Sequence, residues 1–366
     1  MTTEPAVDLT RIVRLADFEP LARAAIEPDA YDYIAGGAWD EVTLADNVAA
    51  WPRRRFRPRV LVDVGTADPS TTLLGSPTSM PVAIAPMAIH GLAHPEAELA
   101  TARAAAAAGV PFTLSTVASR SIEDVAEAAP DGTRWFQLYV QRDRARSRSL
   151  VERAAAAGYE AIMFTVDLPV LGYRDRDLRS GFEMTSLGNF VDDPPTHRPV
   201  RATSGRPAGD GPLDNASTPR TLTWADIDAI RGWSSLPIVL KGILTAEDAR
   251  LAVEHGVDGI VVSNHGGRQL DRVQAAVDAL PPIVAEVGGQ VEIWVDGGVR
   301  RGLDIAVALA LGARGVLLGR PVLWALAVGG QSGVEHALRI LRQEFELTLA
   351  LLGTPTPADI TRAHLI

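Results

Sequence analysis

The stretch Gly259-Ile-Val-Val-Ser-Asn-His-Gly-Gly-Arg-Gln-Leu-Asp271 changes character at its midpoint. Its first half, Ile260 to Val262, is a short β-branched run behind a glycine, the composition of a strand buried on both faces. Its second half is polar. Ser263, Asn264, His265 and Arg268 crowd around Gly266 and Gly267, which let the backbone turn sharply. A buried strand that ends in a histidine and an arginine on a glycine turn describes the rim of an α/β enzyme. His265 can move a proton there, and Arg268 can grip an anion. The same residues also suit a satisfied buried histidine beside a surface arginine, so the rest of the chain has to decide.

Working outward, apolar strand-like runs alternate with Ala-, Arg- and Glu-rich helical segments from Met80 onward. The runs are 82–85, 112–115, 135–139, 161–166, 238–240, 260–262, 293–295 and 316–318, which makes eight. Helical segments between them include 96–108, 150–157, 246–255 and 303–311, stopped by Gly109, Gly158, Gly256 and Gly312. Eight strand–helix units predict an α/β fold of the closed (β/α)8 TIM-barrel type. An open doubly wound sheet explains the alternation, but does not favour eight units without a fingerprint loop after the first strand.

The whole chain, 1–366, is expected to form one domain. Residues 1–79 predict a helical and hairpin cover, and 80–366 the barrel. Asp17 is expected to cap a helix reaching Ile26, which Glu27-Pro28 breaks. Segments 56–64 and 71–74 are expected to pair as a small hairpin over one end of the core. Residues 180–219, rich in Pro, Gly, Asp, Ser and Thr, predict a flexible loop after the fourth strand, of the kind that serves as a lid.

Composition narrows the class. A hydrophobic content of 47% and a charged content of 22% support a sizeable core. There is no cysteine, which excludes disulfides and thiolate metal sites. A net charge of −10 argues against nucleic acid or an anionic membrane as partner. No long apolar run appears and residues 1–14 lack an apolar leader core, so a soluble cytoplasmic protein is the expectation. Of the 35 lysines and arginines, only Lys241 is a lysine. Where any surface cation suffices this chain uses arginine, so Lys241 is expected where a planar guanidinium does not fit.

Function in such barrels lies at the C-terminal ends of the strands. Read in order, those ends carry Pro86-Met87-Ala88, Ser115, Gln137 with Tyr139, Thr165 with Asp167, Lys241, Ser263 with His265, Asp296-Gly297-Gly298 with Arg300, and Gly319-Arg320. The last two turns, each with glycine and arginine at a helix start, read as a phosphate site. No zinc set is visible: His90 and His94 stand four apart without a completing carboxylate. A phosphorylated organic cofactor with a polar heteroaromatic ring fits these groups better. Lys241 would face the part of that ring that becomes negative on reduction.

Taken together, S-N-H-G-G-R-Q-L-D (263–271), D-G-G-V-R-R-G (296–302), L-G-R-P (318–321), F-Q-L-Y (136–139), T-V-D (165–167) and Y-D-Y-I-A-G-G (31–37) resemble the FMN-dependent α-hydroxy acid oxidase and dehydrogenase family. The motifs keep the family's order from about Tyr31 to the C-terminus. The resemblance implies FMN as cofactor and oxidation of an (S)-2-hydroxy acid to a 2-oxo acid. It implies His265 as active-site base and Asp167 as its carboxylate partner. Arg174 and Arg268 match substrate-carboxylate ligands, with Tyr33 and Tyr139 around them. Lys241 matches the lysine beside flavin N1 and O2. Pro86, Met87, Ala88, Ser115, Gln137, Thr165 and Ser263 match residues along the isoalloxazine and ribityl chain. Asp296, Gly297, Gly298, Arg300, Gly319 and Arg320 match the phosphate pocket.

The departures bear on specificity. Val117 stands where glycolate oxidase has tryptophan and lactate oxidase has tyrosine, which implies a roomier pocket. Residues 88–94 look more like lactate oxidase, Ala88 resembles the oxidases of the family, and Tyr173 replaces an arginine of glycolate oxidase. The expected partners are a small 2-hydroxy carboxylate and dioxygen or a soluble electron acceptor, in a homo-oligomer, a tetramer by resemblance, with apolar helix residues near Trp324 as an interface. Soluble dehydrogenase or monooxygenase chemistry stays open. A non-redox flavin barrel, such as a type 2 isopentenyl diphosphate isomerase, needs no His–Asp pair beside a carboxylate clamp. A flavin-binding module without chemistry would lack His265 or Arg268.

Overall fold

The computed structural model describes residues 7–182, 187–190 and 219–366. Most of the loop expected over 180–219 lies outside the described residues. Eight parallel strands close into a barrel in chain order: β3 (Val82–Ile84), β4 (Phe112–Ser115), β5 (Arg134–Leu138), β6 (Ala161–Thr165), β7 (Ile238–Ile243), β8 (Gly259–Val262), β9 (Glu292–Val295) and β10 (Gly315–Leu318), which returns to β3. All eight expected runs are strands. The hairpin that precedes them pairs β1 (Thr71–Leu73) with β2 (Ser76–Thr78). Its turn is Leu74-Gly75, both at positive φ, the backbone of a tight two-residue loop. Segment 56–64 is therefore not its partner; Phe56 instead bridges to Leu365.

Strand parity divides the core in two. Ala83, Trp135, Met163, Val239, Val261, Trp294 and Leu317 meet inside the barrel, joined by Leu73 of the hairpin. Their alternating neighbours, such as Ile162, Leu240, Ile260 and Val316, pack outward against the helices. The hairpin closes the N-terminal end: Leu74 N–H donates to the Glu292 carboxylate, and Ser76 Oγ to Glu160. Gly259 is required here, because a Cβ would lie 2.3 Å from the Trp294 ring.

The opposite end carries the chemistry, and parity again explains how. Two residues on from Trp135, Met163, Val239, Val261 and Trp294 come Gln137, Thr165, Lys241, Ser263 and Asp296. The same inward row that is apolar below becomes polar at its C-terminal end.

The cover supplies three helices, α1 (Phe18–Ala25), α2 (Pro28–Ala35) and α3 (Val42–Ala49). Pro28 starts α2 where its missing N–H costs nothing. Asp17 does not cap α1. Its carboxylate instead accepts from the N–H groups of Val13 and Arg14, closing the preceding 3-10 turn. Around the barrel run α4 (Ala97–Ala108), α5 (Ile122–Ala128), α6 (Arg144–Ala156), α7 (Asp175–Ser180), α8 (Ala225–Arg231), α9 (Ala246–Glu254), α10 (Ala276–Val287), α11 (Gly302–Ala310) and α12 (Arg320–Leu352). Helix α12 bends at Gly329–Gly330, where φ/ψ leave the helical region, and packs on α1, α4 and α11.

Candidate active site

The strand ends, α2 and the 171–174 segment enclose one cavity. Of the residues expected at the site, Tyr33, Pro86, Met87, Ala88, Ser115, Val117, Tyr139, Thr165, Arg174, Lys241, His265, Arg268, Asp296, Gly297, Gly298, Arg300, Gly319 and Arg320 line it. Gln137, Asp167 and Ser263 stand behind, each bonded to a lining residue. Gln137 accepts from Ser115 Oγ at 3.1 Å and donates to Thr165 Oγ1 at 3.0 Å. Ser263 Oγ receives Lys241 Nζ at 2.9 Å. Asp167 Oδ1 lies 2.8 Å from His265 Nδ1.

His265 is presented by a run of left-handed residues. His265, Gly266 and Gly267 have φ of 59°, 65° and 75°. A non-glycine there is uncommon and needs support. The support comes from His265 N–H donating to Ser263 Oγ at 3.1 Å and Gly267 N–H donating to Asn264 Oδ1 at 3.1 Å. Asn264 in turn makes a reciprocal amide pair with Asn47 of α3, 2.8 Å each way. Asp167 is held by a second device. Strand β7 bulges between Lys241 and Ile243, which places Gly242 at φ 114° with no room for a Cβ: it would lie 2.6 Å from Asp167 Cβ and Cγ. Gln269 completes the frame, donating to the Asp167 and Val170 carbonyls at 2.9 Å each.

The electrostatics suit a base. Burial pushes the His265 imidazole below its ordinary range, against the opposing pull of Asp167. Burial therefore favours the neutral imidazole. With Nδ1–H donated to Asp167, the lone pair sits on Nε2, which faces the Tyr139 hydroxyl at 3.3 Å. Burial raises Asp167, but His265 and Lys241 outweigh it and hold the carboxyl below its usual range. Burial pushes the Tyr139 hydroxyl up, so it stays protonated and can donate.

Around this pair the site is cationic. Arg268 lies over the Tyr33 ring, 4.8 Å to its centroid, and donates to the Tyr33 and Gly36 carbonyls at 2.6 and 2.9 Å. Arg174 donates to the Arg268 carbonyl at 3.3 Å and approaches Asp177 at 3.8 Å. Burial and the nearby Arg268 pull its pKa down to about 10. Arg320 donates to the carbonyls of Ile34, Gly266 and Gly36 at 3.0, 3.0 and 2.8 Å. Arg300 stacks on Trp324 at 5.1 Å. Among the described residues no carboxylate stands within ion-pair distance of Arg268, Arg300 or Arg320. Half-buried guanidinium groups whose direct contacts are carbonyl oxygens and an aromatic face are stabilised by an incoming anion.

These residues fit FMN. Arg300 and Arg320 would supply two half-buried cations for its phosphate, beside the start of α12, which has Gly319 as N-cap and no side chain capping it. Lys241 Nζ is 3.0 Å from Asp296 Oδ2 and almost wholly buried. Burial lowers its pKa, but Asp296 and Asp167 more than reverse this, so it remains a cation. A fixed positive charge at the barrel mouth is what an isoalloxazine ring that gains negative charge needs.

The reading of the seventh turn as a phosphate cradle changes in part. The N–H groups of Arg300 and Arg301 donate to Asp304 Oδ2 at 2.8 and 2.9 Å, so they are already taken. Gly298 is glycine because a Cβ would lie 1.9 Å from the Asn47 carbonyl oxygen of α3. Trp51 Nε1 holds the same turn through the Gly297 carbonyl at 2.9 Å. Several contributors were not anticipated: Leu168, Leu171 and Phe190 line the cavity, and Asn47, Gly242 and Gln269 position it. For Gln269 a signal existed, since it lies inside the 263–271 motif.

Comparison with known proteins agrees with this fold. Residues 22–366 match the model of the FMN-dependent dehydrogenase family. The chain is 47% identical over 364 residues to L-lactate oxidase of Nostoc sp., covering 96% of this chain and 98% of that one. It is 47% identical over 366 residues to glycolate oxidase 1 of Zea mays, covering 97% and 96%. A solved structure of mandelate oxidase superposes with a TM-score of 0.87 at 42% identity, covering 97% of this chain and 98% of that one. A barrel whose polar end gathers a His–Asp pair, four arginines and one lysine, matched over nearly its full length, belongs to the FMN-dependent dehydrogenase family.

Proposed function

We propose that this enzyme oxidises an (S)-2-hydroxy acid to the 2-oxo acid, with dioxygen as final acceptor and hydrogen peroxide as second product. The observation that carries the reading is an Asp-paired His265 in the same cavity as Arg174, Arg268 and Tyr139. The names of the relatives, lactate, glycolate and mandelate oxidases, support it.

The chain's own groups divide the work. Arg174 and Arg268 hold the substrate carboxylate, and the hydroxyls of Tyr33 and Tyr139 orient it. His265 Nε2 accepts a proton, from the hydroxyl if the α-hydrogen leaves as hydride and from the α-carbon if it leaves as a proton. Asp167 stabilises the imidazolium that results. Bound FMN supplies the two-electron acceptor, and Lys241 favours the charge that builds up beside it. Arg300 and Arg320 hold the phosphate.

The test is a screen of 2-hydroxy acids against the yellow protein. Anaerobic addition of a substrate should bleach the flavin, and readmitted oxygen should restore the colour with one hydrogen peroxide per turnover. Bleaching without reoxidation by oxygen would point to a dehydrogenase. No bleaching by any 2-hydroxy acid would overturn the proposal.

A homotetramer is part of the same reading. Trp324 itself is buried within the chain, so the surface for subunit contact is sought elsewhere. Leu303, Leu347 and Leu351 are proposed for it: they are 47%, 60% and 71% exposed and share a groove with Phe56 and Pro58. Light scattering of the parent and of Leu347→Glu tests this, with dissociation expected of the variant.

A further inference from the structure

We propose that Met87 is a site of oxidative modification: hydrogen peroxide formed in the cavity converts its thioether to the sulfoxide, which weakens FMN binding. The proposal rests on the reading of the protein as a 2-hydroxy acid oxidase and assigns a chemical fate to one residue of that cavity.

Sulfur is scarce in this chain. It has no cysteine and five methionines, so no thiolate competes for an oxidant. Met1 and Met184 lie outside the described residues. Met80 and Met163 are 1% and 0% exposed and belong to the packed core around and inside the barrel. Met87 differs. It is half-buried and lines the cavity that also holds His265, Arg174 and Lys241. Among the described residues it brings the one sulfur atom to that cavity, whose lining contains no tryptophan.

The end of β3 puts it there. Ala85 N–H donates to the Leu318 carbonyl at 3.0 Å, which holds the chain to β10. Pro86 has no N–H to continue that pairing, so the strand stops. Met87 Sδ then reaches the turn after β10. It lies 3.8 Å from where a Cβ on Gly319 would stand, and glycine leaves that side of the sulfur open. Gly319 is the N-cap of α12 and Arg320 its first residue. The thioether therefore sits beside the helix start proposed to hold the phosphate.

The reaction balances with peroxide as its one co-reactant. A sulfur lone pair attacks one peroxide oxygen, and the S–O bond forms as the O–O bond breaks. The proton on the transferred oxygen leaves with the departing hydroxide as water. Sulfur loses two electrons and the peroxide gains them. Peroxide released in the cavity meets Met87 before it meets bulk solvent, which raises its effective concentration there. The product is polar, whereas Val299, Leu317 and Leu323 of the same lining are apolar. Its oxygen also places partial negative charge beside the start of α12, where an anion is to be received.

The experiment turns over the FMN-loaded enzyme in air with glycolate, L-lactate and (S)-mandelate together. Catalase is present to clear bulk peroxide, and peptides are then analysed by mass spectrometry. Met87 should gain one oxygen atom at least about tenfold faster than Met163, in proportion to oxygen consumed. The FMN Kd of the oxidised protein, from a flavin fluorescence titration, should rise about tenfold. Met87→Leu keeps the volume and removes the sulfur. Its loss of activity per turnover, relative to its own initial rate, should be several-fold smaller than the parent's. Met87 oxidised no faster than Met163, an unchanged FMN Kd, or equal losses in parent and variant would overturn the proposal. Should none of the three acids consume oxygen, the oxidase reading fails instead. Added hydrogen peroxide then tests the site alone, with selective oxidation of Met87 upholding it and oxidation no faster than that of Met163 overturning it.

Discussion

Asp167→Asn isolates one charge in the proton path. Asparagine matches aspartate in size, so the close packing on Gly242 is kept and the chief loss is charge. Asp167 Oδ1 stands 2.8 Å from His265 Nδ1, and the two side chains are only 13% and 17% exposed. A hydrogen bond to a charged group contributes about 1.5–3 kcal/mol. That increment is felt when the imidazole takes the proton, so it comes off the transition state and slows the step by about 10- to 100-fold. If the asparagine amide turns its NH2 toward Nδ1, the ring is held in the wrong tautomer and the loss grows toward about 10⁴-fold.

The pH profile of Asp167→Asn carries a second, independent sign. His265 acts only when neutral, so kcat/KM falls as pH drops through its pKa. Burial lowers that pKa and Asp167 is the main influence holding it up. Removing Asp167 must lower it further. The acid limb should therefore move to lower pH while the plateau falls. The assay is the rate of anaerobic flavin reduction against pH, at equal FMN content. An acid limb that moves to higher pH, or a plateau at the parent rate, would refute the assignment of His265 as base.

Other substitutions separate the remaining roles. Lys241→Met should slow flavin reduction by about 10²–10³-fold, the loss typical of one group stabilising developing charge; unchanged stopped-flow rates would remove Lys241 from the chemistry. His265→Gln should keep oxalate binding nearly intact while turnover drops about 10²–10⁴-fold. Arg268→Ala should instead weaken oxalate by about 2–5 kcal/mol in an equilibrium titration; equal oxalate affinity in the two variants would sink this division of labour. Gly242→Ala should lower kcat while FMN is retained, because its Cβ would stand 2.6 Å from Asp167 and φ is 114°. Parent-like turnover there would show that Asp167 tolerates displacement.

What the sequence made legible follows from strand parity. A parallel barrel strand is apolar below and polar at its C-terminal end on one inward row, so Trp135 and Gln137, or Val261 and Ser263, announce both the core and the site in adjacent inward positions. That signal is local, and it yielded all eight strands. The misses are contacts between segments far apart in sequence. Gly297-Gly298 lines the cavity as expected, but its packing against Asn47 of α3 was not visible. The stacking of Arg300 on Trp324 inside the chain was not visible either. Asp17 had the right type to cap α1, yet the N–H groups of Val13 and Arg14 claimed its carboxylate first. Phe190 sat in a stretch without periodicity, and hydrogen bonds of Gly188 and Asn189 to residues 115–122 hold its turn beside the cavity. The arginines show the limit most plainly. An arginine and a glycine at a helix start say that an anion can be received there. Whether the backbone N–H groups are still free depends on a carboxylate one turn further on, and Asp304 has already taken two of them. That leaves the Arg300 and Arg320 side chains and the uncapped start of α12, beside the cavity-lining Gly297 and Gly298, as the groups we propose for holding the phosphate.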